Sequence, residues 1–123
     1  MPALYPLDPS RLVLVGFSQG AMVGNALALT RPGLLCGVAS LAGAIPPLPP
    51  EASPSFLPVE FPVFIAHGVR DETVPLRAAR QTREAFRRLG ARVTYGEYSV
   101  GHKMNTPAMN DLRAWLAEVL SGR

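Results

Sequence analysis

Cysteine and lysine are nearly absent from this chain: Cys36 and Lys103 are the only examples of each, and there are just two histidines, His67 and His102. A single cysteine excludes an internal disulfide and suits a reducing, cytoplasmic address. Cys36 lies in the apolar stretch Leu34 to Leu41 with no base beside it, so it reads as a packed thiol and not a nucleophile. Two separated histidines without clustered cysteine or carboxylate partners fall short of the three or four ligands of a metal site. No run of about eighteen apolar residues is present, which argues against a membrane-spanning helix. The first residues lack the basic-then-apolar pattern of a signal peptide. Aromatic residues make up 7% of the chain. The stacking aromatics and modules of a nucleic-acid surface are missing. The formal charge of +3 therefore rests on arginine, and Arg77, Arg80, Arg83, Arg87 and Arg88 fall on one expected helix opposite Leu76, Ala79, Phe86 and Leu89. That spacing describes a solvated face above a packed one.

What is present is enough for one domain spanning residues 1–123, since 48% hydrophobic content supplies a core at this length. The order of patterns predicts an α/β fold with about four parallel strands and three flanking helices. Strands are expected at Leu12 to Phe17, Leu35 to Leu41, Phe61 to Ala66 and Arg92 to Tyr98. The first three are nearly continuous apolar runs, which predicts burial on both faces. Helices are expected at Gln19 to Thr30, stopped by Arg31-Pro32-Gly33, and at Val74 to Leu89, ended by Gly90. A last helix opens with Thr106 as N-cap and Pro107 at its first position, and turns Met109, Leu112, Leu116 and Val119 inward.

Directly after the first strand stands Gly16-Phe17-Ser18-Gln19-Gly20. G-x-S-x-G between a strand and a helix is a nucleophile elbow: a sharp, strained turn that lifts a serine hydroxyl clear of the sheet, with glycines where side chains would collide. An activated serine needs a base, and the base needs an acid. His102 sits on the loop after the fourth strand, and Asp71 follows the third in His67-Gly68-Val69-Arg70-Asp71. The order Ser18, Asp71, His102 is that of α/β-hydrolases. Each of the three lies just beyond a strand end, where parallel sheets gather functional loops. His67 stays open as an alternative base, and Glu72 and Asp111 as alternative acids.

With these motifs in this order, GFSQG, HGxxDxxVP and GH before a final amphipathic helix, the chain resembles the phospholipase/carboxylesterase family of small α/β-hydrolases, which includes acyl-protein thioesterase-like enzymes. The resemblance runs from about Leu7 to Leu120. It implies that Ser18 is the nucleophile, Asp71 the acid and His102 the base, with the Gln19 N–H in the oxyanion hole and no cofactor. It implies a small-molecule ester or thioester substrate of the carboxylesterase, lysophospholipase or acyl-thioesterase type. Ala21 stands where the family usually has a further glycine. The fifteen residues before Gly16 contain no glycine and no counterpart of the family's upstream oxyanion loop. The resemblance therefore implies a partial α/β-hydrolase fold, the C-terminal half with upstream strands missing. The alternative is a catalytically incompetent fragment or non-enzymatic homologue that assembles with itself or a partner.

Two further expectations concern the borders of this fold. Ala44 to Pro62 contains seven prolines, so it is no helix. It reads either as a substrate wall offering Ile45, Leu48, Phe56 and Leu57, or as a stiff connector. An apolar first strand with a bare edge is a pairing surface, which predicts a homodimer through Leu12 to Phe17 or a partner carrying the upstream half.

Overall fold

The β-branched and apolar residues after Leu12 form a short strand, β1 (Val13–Phe17), the first of four in a computed structural model that describes residues 12–47, 57–58 and 60–121. It is followed by α1 (Gln19–Thr30), β2 (Gly37–Leu41), β3 (Pro62–Gly68), α2 (Leu76–Arg88), β4 (Arg92–Tyr98) and α3 (Thr106–Ser121). A single 3-10 turn, Pro32–Leu34, separates α1 from β2. All strand pairs are parallel, in the order β1-β2-β3-β4.

Side-chain alternation along the strands sorts the core into two layers. Val38, Val63 and Ile65 point to the face covered by α1 and α2, where they meet Ala28, Leu29, Ala79 and Phe86. Ala39, Leu41, Phe64 and Ala66 point to the opposite face and meet Leu112 and Trp115 of α3. The Phe64 and Trp115 rings lie 5.7 Å apart at a tilt of 42°. β2 and the stretch Val63 to Gly68 are buried throughout, as expected for central parallel strands. β1 is different. Val15 and Phe17 are 42% and 44% exposed, so the expected burial on both faces holds for only two of the three strands. α1 covers the side of Leu14 and Gly16, and among the described residues no strand pairs with β1's outer edge.

The helix boundaries differ from the sequence expectation for local reasons. α2 starts at Leu76 and not Val74, because Pro75 holds an extended conformation and the Val74 backbone is engaged elsewhere. Gly90, at φ 88, ends it as expected. In α3 the cap is Asn105, whose Oδ1 accepts the Ala108 N–H at 3.0 Å, so Thr106 is already helical. Ala108, Leu112 and Trp115 are buried and Leu116 and Val119 pack against the same cluster, whereas Met109, expected inward, is exposed. In the proline-rich segment, Ile45 and Leu57 pack into the core under α1 and α2 instead of forming a substrate wall. Leu48 and Phe56 lie outside the described residues. No helix among the described residues is long and apolar enough to cross a membrane.

Candidate active site

Ser18 occupies the single residue between β1 and α1, with φ 58 and ψ −115, a region that non-glycine residues rarely adopt. Such a conformation costs about 1–3 kcal/mol and persists only where its surroundings enforce it. Here the Ser18 N–H donates to the Leu41 carbonyl at 2.8 Å, and the Ser18 carbonyl accepts the Met22 N–H at 3.1 Å. A serine at the start of a helix ordinarily turns its hydroxyl back to cap the helix. Ser18 makes no such bond, and its hydroxyl meets His102 Nε2 at 3.0 Å. Gly16 is sterically required: a Cβ there would run into the Gly20 carbonyl and lie 2.7 Å from the Ala21 nitrogen. Gly20 is not, since nothing among the described residues lies within 4 Å of a Cβ built on it. The expectation that both glycines prevent collisions thus holds for one of them.

Asp71 lies on the turn after β3, its side chain wholly out of solvent. One carboxylate oxygen, Oδ1, accepts the backbone N–H groups of Thr73 and Val74, each at 2.8 Å. The other, Oδ2, lies 2.7 Å from His102 Nδ1. An ionised carboxylate only accepts, so Nδ1 carries the proton and Nε2 is left to accept from the Ser18 hydroxyl. Burial pushes the Asp71 carboxyl upward, but its hydrogen bonds to His102, Val74 and Thr73 together outweigh this and hold it below the ordinary value.

The His102 loop is laced to the Asp71 turn. The Val69 N–H donates to the Tyr98 carbonyl at 2.8 Å, the Arg70 N–H to the Val100 carbonyl at 3.0 Å, and Arg70 Nη2 to the Ser99 carbonyl at 2.8 Å. Gly68 permits this approach, because a Cβ there would overlap the Gly101 and Val100 carbonyls. The Phe17 ring leans on the His102 imidazole with centroids 5.1 Å apart.

Ser18, Asp71 and His102 are therefore brought into one chain of hydrogen bonds. Gln19 is the first residue of α1, so its N–H is among the four that have no acceptor within the helix, and it stands beside the Ser18 hydroxyl's own residue. The other candidates fall elsewhere. His67 is fully buried with its Nε2 2.7 Å from the Val74 carbonyl. Glu72 is exposed, and Asp111 sits on α3, where Oδ2 accepts the Tyr98 hydroxyl at 2.7 Å. Among the described residues no group of three or more histidine, cysteine or acidic side chains is placed to hold a metal ion.

Sequence reasoning missed Asn25 and Ser40. Asn25 is buried on α1 and donates through Nδ2 to the Ser40 hydroxyl at 3.1 Å and the Ala44 carbonyl at 3.0 Å, tying the helix behind Ser18 to the end of β2. An asparagine inside an otherwise apolar helix was the available signal.

The profile of the phospholipase/carboxylesterase family matches residues 3–120. Acyl-protein thioesterase 1 of Emericella nidulans is 31% identical over 121 residues, which is 93% of this chain and 50% of that protein. The same-named protein of Neurospora crassa is 30% identical, over 93% of this chain and 48% of its own length. Among solved structures, the Bacillus cereus carboxylesterase superposes with a TM-score of 0.82 at 20% identity, covering 91% of this chain and 51% of that one. Esterase PE8 gives 0.78 at 28% identity, covering 93% and 53%. The chain thus spans about half the length of the relatives it matches.

Proposed function

Because the chain belongs to the phospholipase/carboxylesterase family of α/β-hydrolases, we propose that it carries the nucleophile, base and acid of a carboxylic ester or thioester hydrolase. The observation that carries this reading is the unbroken line from Ser18 Oγ to His102 Nε2 at 3.0 Å and from His102 Nδ1 to Asp71 Oδ2 at 2.7 Å. Ser18 Oγ attacks the acyl carbon while its proton passes to His102 Nε2. Asp71 fixes the tautomer that leaves Nε2 free and stabilises the imidazolium as it forms. The Gln19 N–H, at the positive end of α1, faces the developing oxyanion. Collapse of the tetrahedral species expels the alcohol or thiol, which takes the proton from His102, and leaves an acyl-serine. Water then attacks with His102 again as base, releasing the acid and restoring Ser18. No step requires a cofactor.

Intact-mass analysis after treatment with a fluorophosphonate tests this reading. One adduct is expected on the wild-type chain and none on Ser18→Ala. An adduct on both, or none on a folded wild-type chain, would overturn it.

A second reading, that the chain acts within an assembly, is favoured by the exposed side of β1. Leu12, Val15 and Phe17 are each about two-fifths exposed at the edge of the sheet that carries Ser18. Self-pairing through this edge gives a homodimer. Light scattering across a concentration series is expected to show it, and a monomer at every concentration would remove it.

A further inference from the structure

The triad uses one histidine, yet a second, His67, is completely buried within contact distance of the same aspartate. We infer that His67 is a positioning residue for the Asp71–His102 pair, an inference that rests on the serine-hydrolase reading above. Its ring touches the turn at two points. Nε2 lies 2.7 Å from the Val74 carbonyl oxygen, which can only accept, so Nε2 carries a proton and donates. The same nitrogen stands 3.4 Å from Asp71 Oδ2, the oxygen that receives the His102 Nδ1–H. Nδ1, the other ring nitrogen, is sealed from solvent without a hydrogen-bond partner among the described residues.

Val74 is the joint of this arrangement. Its N–H donates to Asp71 Oδ1 at 2.8 Å while its C=O is held by His67. One peptide unit on each side of Val74 is thereby fixed, and with it the turn that wraps the carboxylate before Pro75 opens α2. β3 fixes the His67 backbone, whose Cα stands opposite that of Glu97 in a strand buried from Val63 to Gly68. A hydrogen-bond donor is needed at that spot, but a second permanent charge would compete with the imidazolium of His102 for Asp71. An imidazole with its proton on Nε2 supplies the donor without that charge. Misplacing the carboxylate by a fraction of an ångström loosens the His102 tautomer and its aim at Ser18, which is costly at a reacting centre.

The test combines a tautomer measurement with two variants. In the wild-type chain, nitrogen NMR of labelled histidine is expected to show His67 protonated on Nε2 and bare on Nδ1. Proton on Nδ1 would overturn the inference without any mutation. His67→Phe keeps an aromatic plug and removes the donor, and His67→Gln restores a donor of similar reach. His67→Phe is expected to slow kcat and fluorophosphonate capture roughly 10- to 100-fold with KM little changed. It should also displace the low-field proton resonance of the His102 to Asp71 bond, and His67→Gln should recover most of both. An unmoved resonance and unchanged capture in His67→Phe would sink the proposal. So would equal loss in both variants, which is the mark of packing alone. Should His67→Phe fail to fold, the wild-type tautomer and His67→Gln still decide. If the wild-type chain takes no adduct, the hydrolase reading fails by itself, while the tautomer and the low-field resonance continue to judge the role of His67.

Discussion

Ser18 leaves a strand whose outward residues, Val15 and Phe17, are more than two-fifths exposed, whereas Asp71 leaves a strand buried from Val63 to Gly68. The two sides of the site are held by different means. The serine side is mostly local: a positive-φ residue, the close passage of Gly16 under Gly20 and a backbone bond to Met22, with one long-range bond to the Leu41 carbonyl of β2. The acid and base side is assembled over distance, from a turn after β3 and a loop after β4 laced by Val69, Arg70 and Gly68. The edges of the sheet differ in the same sense. At β4 the exposed positions are polar, with Arg92, Thr94 and Glu97 outward, as befits an edge that meets water. At β1 they are apolar. The elbow draws one backbone bond from outside its own turn, to Leu41, whereas the carboxylate is gripped by three donors, two from its own turn and one from the loop after β4.

The largest effect should come from breaking the long-range side at its charge. Asp71→Asn keeps the size of the side chain but loses the acceptor that fixes the His102 tautomer. Capture of a fluorophosphonate should fall by about 10⁴, as in triad enzymes generally. Ser18 should keep its φ, which is held by the backbone bonds to Leu41 and Met22. A loss below tenfold in capture kinetics would mean that the serine is activated locally after all. Asp71 also links activity and stability to acid. Its carboxyl is held below the ordinary value, so its contribution is complete above the ordinary carboxylate pKa and is lost as pH falls through the lower, folded-state value.

Next in size is a pair of glycine substitutions that sets the two sides against each other. Gly68→Ala pushes a methyl into the carbonyls of Gly101 and Val100, and overpacking of this kind costs about 1–3 kcal/mol. Gly20→Ala meets nothing and replaces a helical glycine, which should stabilise by about 0.5–1 kcal/mol. Urea midpoints measure both. Equal losses would show that Gly20 is as tightly enclosed as Gly68, contrary to the geometry.

A smaller effect tests the edges. Val15→Lys, on β1, should abolish any concentration-dependent association seen by light scattering, and Thr94→Lys, on β4, should leave it unchanged. Neither should alter stability by more than about 0.5 kcal/mol, as is usual for exposed positions. Association that survives Val15→Lys would place the contact elsewhere.

The alternation of strands and helices was legible because the apolar runs at Val13 to Phe17, Gly37 to Leu41 and Val63 to Ala66 are short and separated by glycine and proline. The elbow and the order Ser18, Asp71, His102 were legible because each sits at a fixed offset from a strand end. Three things were not. The cap of α3 moved from Thr106 to Asn105, since both are good N-cap residues. The start of α2 moved because Val74's backbone serves the site, a tertiary demand that no propensity encodes. The exposure of β1 escaped because an apolar run reports what a strand prefers to bury and says nothing about what lies beside it.

The smallest expected effect lies at the β4 edge, in the cluster of Arg80, Tyr95 and Glu97. Arg80 Nε donates to Glu97 Oε2 at 2.8 Å and Nη2 to Oε1 at 3.2 Å, while the Tyr95 hydroxyl donates to Oε2 at 2.6 Å. The guanidinium first, then the hydroxyl, lower the Glu97 carboxyl to about 2. Because the folded-state value is depressed, this contribution is whole above the ordinary 4.5 and disappears as pH falls through about 2. The Arg80 guanidinium lies at the surface, half exposed, so its Coulomb attraction for Glu97 is screened and the net gain is small. Arg80→Ala should therefore lower the melting temperature slightly at neutral pH. The difference should vanish near pH 2 and shrink in about 1 M salt, where screening acts over roughly 3 Å. The Arg83 guanidinium stays 4.4 Å from the centre of the Tyr95 ring and keeps that side chain in place. If Arg80→Ala instead cost as much as Gly68→Ala, the β4 edge would be a structural joint, and the contrast between a polar, solvated border at β4 and an apolar one at β1 would have to be given up.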